Sequence, residues 1–164
     1  FNDYLMSPIS RVEIFVSFIL SSLFVCVFIG IINLILLTMF TNFQDINYFR
    51  LFYYLILSII IFASIGAVTG FLSFTWDVQS TVSNFVIVPI SLLSGTFFSI
   101  DSLTSKWQIV FEYNPFYYLV RGFRGAFLEN NILITNADIL TTMITILILL
   151  ISLFIFNKGY KVIN

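Results

Sequence analysis

The sequence contains no histidine and a single cysteine, Cys26. The first absence excludes imidazole metal sites, Ser-His-Asp triads and histidine proton relays. The second excludes an internal disulfide and a cysteine metal cluster. Charge is scarce as well: seven Lys/Arg and eight Asp/Glu make up 9% of 164 residues, for a formal net charge of -1. A soluble domain carries roughly a quarter charged residues. So small a share leaves no water-compatible surface, and without a basic face nucleic acid is excluded as a partner. No GxxxxGK[ST] run occurs, so these residues hold no P-loop for ATP. No cofactor and no metal site is expected, and no nucleophile is paired with a base.

What is present is apolar: 60% of the residues are hydrophobic, with 21 Phe and 8 Tyr. The aromatic residues suit a lipid-facing surface with interfacial belts. Charges divide the chain into long uncharged intervals. Glu13 is followed by 31 uncharged residues, Arg50 by 26, Asp77 by 23 and Asp138 by 19. A helix crossing a bilayer needs about 20 mostly apolar residues. The intervals therefore predict four spans near 14–40, 51–73, 80–100 and 138–157. A β-barrel would alternate in polarity over segments of about ten residues, and ILTTMITILILLISLFIF does not. The expected class is an all-α membrane protein, a single domain over 1–164, whose four transmembrane helices leave both ends on one side. Arg11, Lys158 and Lys161 lie on that side; Arg50, Lys106, Arg121 and Arg124 lie on the other. Three against four is too even for the positive-inside rule to orient the bundle.

The segment 101–137 is too long for a turn and too polar to span. Two amphipathic aromatic stretches, WQIVFEYN and PFYYLVRGFRGAFL, are interrupted at Pro115. They read as a pair of interfacial or re-entrant helices before the last span. Pro89 and Gly95 predict a kink in the third span, acting as a hinge or a fixed bend. Gly66 and Gly70 form a GxxxG in the second span, where small residues permit close helix approach. Asn33, within the first span, needs a hydrogen-bond partner and is expected to face another helix or a water path. At the start of the chain, Ser7 is a candidate helix cap, with Pro8 at the first helical position.

The ordered set of motifs resembles the permease subunits of type-2 ABC exporters. The residues that carry it are Phe74-Thr75-Trp76-Asp77, Ser83-Asn84-Phe85, Pro89 through Leu103, Tyr113-Asn114-Pro115-Phe116-Tyr117-Tyr118, and Gly122-Phe123-Arg124. Ser7 to Glu13 looks like the family's cytoplasmic segment. The resemblance implies that these are the last four of six spans, with cytoplasmic ends and 101–137 outside. Within that loop, Asn114, Pro115, Tyr118 and Arg124 match the family motif. The resemblance also implies a second permease subunit, a homodimer in the simplest case, and a separate ABC-type ATPase. The ATPase would drive the bundle through a coupling segment, 1–13, containing Ser7, Pro8, Ile9, Arg11 and Glu13. The implied activity is export of an amphiphilic or glycan-bearing solute across a bacterial plasma membrane by alternating access, with no enzymatic activity in this chain. The alternative reading is a non-transporting membrane scaffold.

Overall fold

The structure is a computed structural model that describes residues 10–41, 46–73, 75–97, 111, 113–128 and 136–158. The expected coupling residues Ser7, Pro8 and Ile9 lie outside the described residues. The described segments are all helical. Four helices are long and apolar enough to cross a membrane: α1 (Arg11–Phe40), α2 (Tyr48–Leu72), α3 (Trp76–Thr96) and α5 (Asn136–Lys158). A fifth, α4 (Pro115–Leu128), precedes the last of them.

Each start has a local cause. Ser10 opens α1 with a capping box: its hydroxyl accepts from the Glu13 amide at 3.3 Å, and the Glu13 carboxylate accepts from the Ser10 amide at 2.9 Å. Two of the amides that a helix start leaves unpaired are thereby satisfied. Ser10 is thus the cap that α1 displays. It stands after the expected cap at Ser7, and it places Arg11 and Glu13 in the first turn of the spanning helix itself. Asn47 caps α2, and Thr75 caps α3.

The core follows a stripe on α2. Tyr54, Leu57 and Ile61 are buried against Phe116 and Leu119 of α4, and Ile148 of α5 packs on the same cluster. A second cluster joins the terminal end of the bundle: Ile14 and Phe15 of α1, Phe71 of α2 and Phe156 of α5. Apolar surface is no driving force where lipid tails are equally apolar, so close packing and interhelical hydrogen bonds must hold the bundle. Gly30 of α1 meets that demand, because a Cβ there would stand 3.1 Å from Leu55 of α2. Asn33 bonds within its own helix rather than across to another, donating to the Ile29 carbonyl at 2.8 Å.

α4 runs against α2 rather than along the bundle's surface. Its first turn sits at the middle of α2, where Phe116 stacks on Phe62 with centroids 4.7 Å apart. Its last turn reaches the start of α2, where the Ala126 carbonyl accepts from the Asn47 amide at 3.0 Å. α4 thus starts beside the middle of α2 and rises to one end of it. The other expected member of the pair falls almost wholly outside the described residues.

Candidate functional site

α3 is a broken helix. π-helical turns at Ser83–Ile87 and Leu92–Thr96 flank a short α-helical stretch, Val88–Ser91, that contains Pro89. A proline lacks the amide that the regular ladder needs, and a wider turn shifts the hydrogen-bond register around it. Gly95 ends the break with φ 83°, a left-handed conformation that glycine adopts without a Cβ penalty. Among the described side chains of α3, Ser94 and Gly95 alone are buried. The rest of the helix turns large apolar residues outward, among them Phe85 at 78% exposure.

α4 holds this broken end. The Asn114 amide donates to the Ile90 carbonyl at 2.8 Å, and Arg124 Nη2 donates to the Gly95 carbonyl at 2.9 Å. Helix interruption frees carbonyls that must find donors elsewhere, above all in a membrane. Asn114 does a second job: its side-chain oxygen accepts from the Phe116 amide at 3.0 Å, capping α4 with Pro115 at the first helical position. Tyr118 packs against the buried pair Phe111 and Tyr117. Arg121 lies over the Tyr117 ring at 5.9 Å and donates to its hydroxyl at 3.3 Å. The structure thus gathers Asn114, Pro115, Arg124, Pro89 and Gly95 into one neighbourhood, although the loop and the span that supply them are separated in sequence.

A polar network that the sequence reading missed lies beside α4. Tyr54 of α2 donates its hydroxyl to Asp138 Oδ1 of α5. Arg50 Nη2 stands 3.8 Å from the same oxygen, and its guanidinium lies 6.0 Å from the Tyr54 ring centre. Both side chains of the ion pair are largely buried. Tyr53 adds a weaker bond to the Asp138 carbonyl at 3.4 Å. α4 accommodates the cluster with two glycines. A methyl group at Gly122 would overlap the Tyr54 ring, and one at Gly125 would stand 3.3 Å from the Arg50 guanidinium carbon. In sequence, Arg50 and Asp138 read as boundary charges of two distant spans, so nothing marked them as partners.

The GxxxG of α2 has a different setting. No atom lies within 4 Å of a Cβ placed on Gly66, and at Gly70 the nearest is Gln79 Nε2 at 3.6 Å. Within the described chain neither glycine is a point of helix approach. Both line an open cleft of about 950 Å³ between α1, α2 and the start of α3, together with Ser22, Cys26, Ser58 and Gln79. At the terminal end of the bundle, Arg11 Nη1 donates to the Asn157 carbonyl at 3.0 Å. That carbonyl belongs to the last turn of α5, where helix carbonyls lack internal partners and a cation is favoured by the dipole. Arg11 therefore ties the start of α1 to the end of α5.

Four apolar helices, one of them broken and gripped from the side by a fifth, define a polytopic membrane protein built around an interrupted helix. Comparison with known proteins places it further. Residues 1–128 match the ABC-2 type transporter family. The chain belongs to that family. It is also similar to the inner membrane transport permease YadH of Escherichia coli K12, at 26% identity over 154 residues, covering 94% of this chain. The YadH of Shigella flexneri matches to the same degree. The chain spans 59% of the length of these relatives. No solved structure matches it significantly.

Proposed function

We propose that this chain is the membrane-spanning permease part of an ATP-driven exporter in a bacterial plasma membrane. It moves an amphiphilic or glycan-bearing solute outward by alternating access. The observation that carries this reading is the family match over residues 1–128, which includes the whole α3–α4 assembly. ATP is hydrolysed on a separate ABC-type subunit, a reading supported by the family match; residues 1–164 hold no P-loop. The chain ends lie in the cytoplasm and the 101–137 segment lies outside. Closure of the ATPase reaches the bundle through residues 7–13, and Arg11, bonded to the last turn of α5, passes the movement to α1 and α5 together. A second permease copy completes the pathway, which the outward-facing apolar side of α3 and the open cleft at Gly66 and Gly70 leave room for.

Purification of the full-length protein from its native membrane tests this. A P-loop ATPase should co-purify, and reconstituted vesicles should move an amphiphilic or glycan-bearing solute only when ATP is supplied on the side of the chain ends. Repeated recovery of the permease without an ATPase, and without nucleotide-dependent transport, defeats the reading.

A further inference from the structure

The polar network and the broken span are joined through one helix. α4 meets the Tyr54 ring at Gly122 and the Arg50 guanidinium at Gly125. From its two ends it donates to the carbonyls of Ile90 and Gly95 in α3. We propose that Asp138, through Tyr54 and Arg50, positions α4, and that α4 in turn sets the conformation of the interrupted end of α3.

Three features carry the inference. First, the network has little freedom. Asp138 receives both the Tyr54 hydroxyl and the Arg50 guanidinium on one oxygen, and all three side chains are largely buried. Buried charged groups with defined partners hold one arrangement, because leaving either partner alone is costly. Second, the fit to α4 is steric. The Tyr54 ring occupies the space of the missing Gly122 side chain, so ring and helix backbone cannot move independently. Third, among the described residues α3 has little other anchorage near its break. Ser94 and Gly95 are its buried residues, and Gly95 is the residue whose carbonyl Arg124 holds. A helix with few packed side chains takes its shape from the hydrogen bonds at its interruption. Two discrete arrangements of such an element are what a gate requires. Assigning α3 that role rests on the transport reading; the mechanical link itself does not.

The test uses the full chain in lipid nanodiscs, in a Cys26→Ser background that removes the single native thiol. Spin labels at Phe49→Cys and Phe97→Cys, both highly exposed, report the end of α3 relative to the start of α2. A control pair at Leu72→Cys and Phe154→Cys reports the opposite end of the bundle. Restoring ordinary carbon–carbon separation around an added methyl at 122 requires α4 to withdraw by roughly 2 Å. Gly122→Ala should therefore shift the 49–97 distance by about that amount and broaden its distribution, while the control pair stays fixed. Tyr54→Phe keeps the ring and removes the hydroxyl, and it should broaden the same distribution with a smaller shift. It decides the matter if Gly122→Ala does not fold. Folded variants that retain the parent 49–97 distribution overturn the proposal. So does an equal change in both pairs, which would mean that the network merely holds the bundle together. The distances are read without nucleotide or solute, so failure of the transport reading leaves the test intact.

Discussion

The buried polar network turns on Asp138, at the start of the last span. It looked like the final charge before an apolar run, yet it accepts a tyrosine hydroxyl from 84 residues earlier in the chain and faces an arginine on that same helix. Removing one partner of a buried ion pair costs about 3–5 kcal/mol, whereas replacing both with apolar groups is often neutral. Asp138→Leu is therefore expected to lower the unfolding midpoint in detergent sharply. The double variant Arg50→Met with Asp138→Leu should recover most of the loss, as a double-mutant cycle would show. Glycine teaches a related lesson. The GxxxG spacing of Gly66 and Gly70 was visible in the sequence, but its meaning depended on a neighbour that the described chain does not supply. Gly122 stood out only as part of the Gly122-Phe123-Arg124 motif, with nothing to mark a close approach. Its importance comes from a tyrosine ring on another helix, and spacing along one helix does not reveal that.

At the scale of elements, the long helices were legible because intervals between charges set their limits, and few residues in those intervals compete with a helix in lipid. The interruption of α3 was legible in kind, since Pro89 and Gly95 both oppose a regular ladder. Its form was not: π turns depend on which carbonyls find outside donors, and Asn114 and Arg124 arrive from beyond the span. α4 shows the same division. Pro115 and the aromatic pattern announced a helix, while its insertion to the middle of α2 rests on the Phe116–Phe62 stack. Asn114 supports both elements, so Asn114→Ala should cost about 1–2 kcal/mol through the lost cap alone. Hydrogen exchange should accelerate in the first turn of α4 and around Ile90, with α1 unaffected. Equal protection in the variant and its parent would remove Asn114 from both roles.

For the whole molecule, the lack of charge made membrane residence plain, but the balance of Lys and Arg gave no orientation. The proposed placement has a direct check. In vesicles of known sidedness, an impermeant maleimide should reach Tyr48→Cys from outside and Lys158→Cys from the cytoplasm, again in the Cys26→Ser background. The opposite pattern reverses the bundle, and labelling of both from one face breaks the spanning assignment. The length of α1 bears on the same question. Its 30 residues extend for about 45 Å, against a hydrocarbon thickness of about 30 Å. A rod that overshoots its slab must lean, or stand proud at one face. Bilayer thickness thereby becomes a variable that acts on this protein: thin lipids tip α1 further and thick ones draw it upright, straining its closest approach to α2 at Gly30 and Leu55.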